Sequence, residues 1–150
     1  MTLRPKSRKR DITVTFGLNR KLVGLVLVVL LLVAACSSGS DTATIELVSP
    51  AEAAQVIDDD PAGLVVLDIR TPEEFNEARL ADAVNVDFYA ADFADQLDGL
   101  DKNHPYVMYC RSGNRSSDAV KAMKDLGFVE VYEINGGIVN WYDSGFPVEQ

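Results

Sequence analysis

The residues most able to do chemistry stand together in Cys110-Arg111-Ser112-Gly113-Asn114-Arg115. A cysteine reacts as its thiolate, so the question is what would lower its pKa from the free value of ~8.5. Three features of this segment act in that direction. Backbone N–H groups of a tight loop can converge on a negative sulfur, and Gly113 lets the chain turn closely around it. The following residues start a helix, whose N-terminus adds roughly half a positive charge. Arg111 and Arg115 supply two cations within five residues of the sulfur. A thiolate made this way is a nucleophile with no need of a histidine base. The competing readings are structural: Cys110 as a buried core residue, Arg111 and Arg115 in surface ion pairs, Ser112 and Asn114 as turn formers.

Elements on either side must hold this loop. Tyr106-Val107-Met108-Tyr109 before it reads as a short buried strand introduced by Pro105. After it, Ala119, Val120, Ala122, Met123 and Leu126 mark one face of a helix. Asp118 is expected near its start and Lys121 and Lys124 toward its end, matching the macrodipole. Gly127 suits the left-handed position past its last turn, and Phe128 can fold back on Met123. The cysteine therefore sits where a strand's C-terminal end meets a helix, the edge at which open α/β sheets bind ligands.

The same alternation runs through residues 45–150. Strands are expected at 45–48, 64–67, 83–86 and 129–132. Ser49-Pro50-Ala51-Glu52 and Thr71-Pro72-Glu73-Glu74 each carry an N-cap, a proline at the first helical position and a capping-box glutamate. The first helix runs to about Asp58. Tyr89 to about Leu97 also reads as helix, and Gly136-Gly137 opens a last one carrying Trp141. Strands alternating with helices imply an α/β domain with a mainly parallel sheet.

The chain of 150 residues is acidic overall, with a formal net charge of −9, but the charge is divided unevenly. Residues 1–35 hold Arg4, Lys6, Arg8, Lys9, Arg10, Arg20 and Lys21 against Asp11 alone. Of 14 basic and 23 acidic residues, 7 and 22 remain in 36–150, a balance of −15 that disfavours nucleic acid as a partner. With one histidine and two cysteines, a zinc site or a histidine-based triad lacks parts, so no metal is expected.

The basic N-terminus leads into Leu22–Ala35, 14 uncharged residues. A membrane-spanning helix usually takes about 20 apolar residues, so this run better fits the apolar part of a secretory signal. Val33-Ala34-Ala35-Cys36 resembles the lipobox of bacterial lipoproteins, in which cleavage precedes a lipidated cysteine. The resemblance implies a signal peptide over 1–35, a lipid on Cys36, a flexible tether over 36–44, and a membrane anchor on the extracytoplasmic face. The alternative is an uncleaved signal anchor.

The order of motifs in 45–150 resembles a single-domain rhodanese. The matching segments are Val66-Leu67-Asp68-Ile69-Arg70 with Glu73-Glu74-Phe75, then Ala83-Val84-Asn85-Val86, then Tyr109 to Ser116. Gly136-Gly137-Ile138-Val139-Asn140-Trp141 and Gly145-Phe146-Pro147-Val148 complete the set. The resemblance implies a five-stranded parallel sheet flanked by helices. It implies a sulfurtransferase that uses no cofactor, in which Cys110 accepts sulfur as a persulfide and the backbone of Arg111 to Arg115 surrounds it. Asp68, Arg70 and Ser116 are implied as supporting residues. Asp68 is expected to bond loop amides and Arg70 to pair with Glu73 or Glu74, with direct substrate contact by Arg70 as the other option. The implied partners are a small anionic sulfur donor, such as thiosulfate or a polysulfide, and an external thiol or cyanide as acceptor. Cysteine phosphatases, some on the same fold, use Cys-x5-Arg to cradle a tetrahedral phosphate. Four residues separate Cys110 from Arg115, a smaller cradle that better fits one sulfur atom. A phosphatase or arsenate reductase, and a non-catalytic binding module, stand as alternatives. One segment departs from the family: Ala78-Arg79-Leu80-Ala81-Asp82-Ala83 replaces the frequent Gly-His-Ile-x-Gly-Ala, which puts that loop's conformation in question.

Overall fold

The computed structural model describes residues 43–150. The signal segment, Cys36 and nearly all of the expected tether lie outside the described residues. Ten elements follow in strict alternation: β1 Thr44–Val48, α1 Pro50–Asp59, β2 Val65–Asp68, α2 Pro72–Glu77, β3 Val84–Asn85, α3 Phe93–Asp98, β4 Pro105–Tyr109, α4 Asn114–Asp125, β5 Glu130–Ile134 and α5 Gly137–Asp143. The strands form one sheet in the order β1-β5-β4-β2-β3. Every pairing is parallel, the five-stranded parallel sheet the motif order implied.

Parallel sheets covered on both faces need apolar side chains on both, and the central strand shows it. All five residues of β4 are buried. Pro105 is tolerated because it stands at the strand's first position, where a missing N–H matters least. The two-residue alternation divides its side chains. Tyr106, Met108 and, just past the strand, Cys110 join Leu67, Ile69, Ala119, Met123, Phe128 and Val131 in one core. Val107 and Tyr109 join Val48, Ala53, Val66, Ile134, Ile138 and Trp141 in the other. A fully buried side chain such as Met123 or Phe128 stabilises the fold by about 2–3 kcal/mol through removal of apolar surface from water.

The helix starts follow local sequence. Both expected capping boxes form: Ser49 with Glu52 on α1, and Thr71 with Glu74 on α2. At the far end of α4, Gly127 is left-handed (φ +87°). The Phe128 N–H then bonds the Met123 carbonyl and the Gly127 N–H that of Lys124, so orphan carbonyls of the last turn are satisfied.

Among the boundaries that differ from expectation, two have a clear physical cause. Helix α3 starts at Phe93 rather than Tyr89, because the Asp87 carboxylate captures the Tyr89 amide at 2.9 Å and folds the chain into a turn first. Strand β5 runs on to Ile134 rather than ending at Tyr132, because β1 pairs along its outer side as far as Val48↔Ile134. Helix α4 begins four residues before Asp118, so that residue lies in its second turn.

The segment lacking the family's glycines is also explained. Asp82, at the place of the second glycine, is left-handed (φ +56°), a conformation Asp tolerates better than most residues. Ala78, at the place of the first, is extended (φ −164°) and needs no glycine. Leu80 is buried there, its N–H donating to the Tyr109 hydroxyl at 3.1 Å.

Candidate active site

The sequence places Cys110 one residue beyond β4 and four before the start of α4. The side chain is only 1% exposed. The Gly113 N–H donates to Cys110 Sγ at 3.1 Å, and Ser116 Oγ lies 3.5 Å from it. Gly113 can aim its amide inward because its φ is +100°, a value other residues rarely adopt. Burial pushes the thiol pKa up. The Ser116 hydroxyl and the amides of Ser116, Gly113 and Ser112 outweigh it, leaving the thiol below its ordinary value. Arg111, Ser112 and Asn114 are exposed at the mouth, and Gly113 and Arg115 are partly buried.

The start of the loop, up to the peptide that carries the Ser112 amide, is held from behind. Two of its carbonyls are tied to the start of α5: Ile138 N–H donates to the Cys110 carbonyl at 2.9 Å, and Val139 N–H to that of Arg111 at 3.2 Å. This contact requires Gly137. A Cβ there would lie 2.3 Å from the Cys110 carbonyl oxygen and 2.7 Å from that of Arg111. The Gly136-Gly137 pair thus opens a helix, as expected, and also clamps the cysteine loop from behind.

The two arginines of the loop part company. Arg115 reaches Glu74 on α2 with a bidentate pair of 2.7 and 2.8 Å. That pair, aided against burial by the Thr71 amide, holds the Glu74 carboxyl down to about 2. The Arg115 guanidinium also lies 5.5 Å from the centre of the exposed Tyr89 ring. Arg111 makes no ion pair among the described residues. It is the loop cation left available at the mouth.

Asp68 and Arg70 lie behind the loop at the end of β2. Asp68 accepts one backbone amide, that of Arg70 in the turn after β2, at 2.8 Å. The expected pairing of Arg70 with Glu73 or Glu74 is not what forms. The Arg70 guanidinium turns back onto Asp68, with Nε 3.0 Å from both carboxylate oxygens, and donates to the Ala78 carbonyl. The reason is competition: Glu74 is taken by Arg115, and Asp68 is fully buried and needs a counter-charge. Arg70 itself is 5% exposed and serves the turn between β2 and α2.

Sequence reasoning missed one residue of the site. Ser116 is fully buried, and its hydroxyl donates to Glu133 Oε1 at 2.6 Å. Glu133 stands on β5, only 7% exposed. Burial pushes its carboxyl pKa up, against the lowering effect of the Ser116 bond. A signal existed: Glu133 is two residues from Val131, so if the strand continues, both face the same core. The strand was expected to end at Tyr132, one residue short of Glu133.

With this geometry in view, comparison with known proteins is direct. Residues 49–144 match the sequence profile described as the rhodanese-like domain. The chain is 37% identical over 93 residues to the thiosulfate sulfurtransferase GlpE of Pseudomonas syringae, covering 61% of this chain and 83% of that protein. It is 30% identical over 89 residues to a sulfurtransferase of Allochromatium vinosum, covering 59% and 81%. Among solved structures it resembles a rhodanese-related protein from Thermoplasma volcanium, with a TM-score of 0.61 and 27% identity over 69% of this chain and 97% of that one.

Proposed function

The chain belongs to the rhodanese-like domain family, and from that membership we propose that it is a sulfurtransferase whose Cys110 carries one sulfur atom as a persulfide. The observation that carries this reading is the Gly113 N–H aimed at a single buried sulfur at the head of a helix, with Ser116 Oγ beside it at 3.5 Å. Relatives bearing the name thiosulfate sulfurtransferase support it. In the first half-reaction the Cys110 thiolate attacks the outer sulfur of an anionic donor such as thiosulfate or a polysulfide. A new S–S bond forms on Cys110, the donor's S–S bond breaks, and sulfite or the shortened chain leaves with the electron pair. The loop amides, fixed before reaction, stabilise the negative outer sulfur of the persulfide. In the second half-reaction an external thiol or cyanide attacks that outer sulfur and the Cys110 thiolate is released.

Arg111 is the cation that meets the donor. Arg115 was expected to share this task, but its two terminal nitrogens are engaged by Glu74. Its part is to brace the loop against α2. The same engagement weighs against a phosphatase, which needs its loop arginine free for phosphate oxygens.

The test is mass spectrometry of the full chain after exposure to thiosulfate. The expected result is a gain of one sulfur atom on the Cys110 peptide, absent from Cys110→Ser and discharged by cyanide as thiocyanate. Full thiosulfate:cyanide turnover by Cys110→Ser would refute the mechanism. A wild-type chain that takes no sulfur from any donor would instead be a binding module, and hydrolysis of an aryl phosphate would mark a phosphatase.

The proposal extends to location. The basic start, apolar run and Val33-Ala34-Ala35-Cys36 support a lipid anchor on Cys36 that displays the domain outside the cell membrane. With Cys36 lipidated, no second thiol of this chain is left to resolve the persulfide, so the acceptor comes from outside. Cys36→Ala is expected to move the protein from the membrane to the soluble fraction and to abolish incorporation of labelled palmitate. Undiminished labelling of that variant would overturn the anchor.

A further inference from the structure

The mechanism above leaves one buried acid without a task. Glu133 reaches Ser116, and Ser116 reaches the nucleophile, in an unbroken line: Glu133 Oε1 to Ser116 Oγ 2.6 Å, Ser116 Oγ to Cys110 Sγ 3.5 Å. The first contact is short even for O–H···O, as expected when the acceptor is ionised. We propose that Glu133 is a positioning residue for the nucleophile, taking up through Ser116 the proton that Cys110 loses on becoming a thiolate. The inference rests on the reading of Cys110 as the sulfur carrier.

The Ser116 hydroxyl has one proton to donate. Its oxygen faces three acceptors: Glu133 Oε1, the Gly113 carbonyl at 3.0 Å, and Cys110 Sγ. While Glu133 is ionised, the proton belongs to the charged acceptor. Ser116 then offers only lone pairs to the sulfur, which favours the protonated thiol. For the hydroxyl to donate to a thiolate, its bond to Glu133 must reverse, and that requires a proton on Glu133. The two arrangements differ by a shift along the line. The S–H proton passes to Ser116 Oγ and the Ser116 proton passes to Glu133 Oε1. No proton is gained or lost, no group is oxidised, and no heavy atom need move far.

The surroundings of both groups narrow the difference between the two arrangements. Burial holds the Glu133 carboxyl above its ordinary range, while the donors around Cys110 hold its thiol below. The gap that separates a free thiol from a free carboxylic acid is narrowed from both sides. The shift also keeps two negative charges from standing together: when the persulfide forms, the carboxyl beside it is neutral. Few other charges intrude. The neighbours of Glu133 across the sheet are Leu47 and Met108, neither titratable. Glu130 and Glu46 point to the opposite face by strand alternation. On α4, Asp118 and Lys121 pair with each other at the surface. Arg115 is the cation whose charge senses Cys110, and it is bound to Glu74. Asp68 and Arg70 close on one another.

The test is the pH dependence of Cys110 alkylation by iodoacetamide in the full chain without any sulfur donor. It is read by mass spectrometry on the Cys110 peptide so that Cys36 does not contribute. The wild type is expected to show two coupled ionisations, because thiolate first appears together with a protonated Glu133 and becomes complete only when Glu133 also ionises. Glu133→Gln and Ser116→Ala are each expected to collapse the profile to one ionisation. A one-step profile in the wild type overturns the proposal, and that result needs no variant to fold. A two-step profile that persists in Glu133→Gln assigns the second step to another group and overturns it equally. Because no sulfur is transferred in this experiment, its failure is distinct from failure of the persulfide reading, which the sulfur adduct on Cys110 decides.

Discussion

Gly137→Ala tests the claim that α5 clamps the cysteine loop. Gly137 has φ +61°, and a Cβ built there meets the Cys110 carbonyl oxygen at 2.3 Å, where ordinary contact begins at 3.4 Å. Alanine in a left-handed conformation costs about 1–2 kcal/mol, of which ~0.4–1 is returned by the stiffer unfolded chain. That much is common to Gly145→Ala, since Gly145 is also left-handed (φ +84°) but has open space around its Cβ position. At Gly137 the loop carbonyl must also retreat by roughly 1 Å. The retreat strains or breaks the bonds from Ile138 and Val139, each contributing about 1 kcal/mol. The expected losses are therefore about 1 kcal/mol for Gly145→Ala and about 3 kcal/mol for Gly137→Ala, measured by urea unfolding. The second consequence is chemical. A loop released from behind no longer aims its amides at the sulfur, so the thiol of Gly137→Ala returns toward ~8.5, seen as a rightward shift of the alkylation–pH profile. The reasoning fails if the two variants lose equal stability and titrate alike.

Other predictions concern the surroundings of the loop. Glu74 is held at about 2 by Arg115, below the unfolded value of ~4.3. The stability from this pair is fully present above the unfolded value and lost as pH falls through the folded one. Glu74→Gln should thus cost about 2 kcal/mol at neutral pH, a figure reduced for partial exposure of the pair, and the gap to wild type in denaturant titrations should close between about pH 4 and pH 2. Tyr109→Phe removes the acceptor of the buried Leu80 N–H and should cost about 1–3 kcal/mol in unfolding experiments while leaving the thiol titration unchanged. Arg111→Ala removes the available cation at the mouth. It should raise the KM for thiosulfate roughly three- to tenfold, change kcat little, and flatten the dependence of KM on salt.

Much of this site is written locally in the chain. The cysteine, its glycine and the start of the helix that follows lie within Tyr109 to Ser116, and a loop between a strand and a helix is shaped mostly by its own residues. The capping boxes at Ser49 and Thr71 were legible for the same reason, since each joins residues three apart. Asp87 shows the limit of such reading even at short range. Its capture of the Tyr89 amide competes with a helix that apolar spacing alone would start there.

What lay beyond the sequence is long-range. Arg115 could have met a donor anion, and only the folded chain brings Glu74 of α2, 41 positions away, within reach to claim it. Arg70 lost its expected partner to that contact and closed on Asp68. Strand order is of the same kind, because apolar runs identify buried strands but carry no record of their neighbours. Glu133 depends on it directly: β5 lies between β1 and β4, and the pairing with β1 extends the strand far enough to turn this acid inward. The sequence alone thus determined which cysteine stands at the head of a helix and what kind of loop surrounds it, because those properties arise from bonded neighbours. The tertiary structure decided which charges that cysteine faces, because charges act through space and only the folded chain sets their distances.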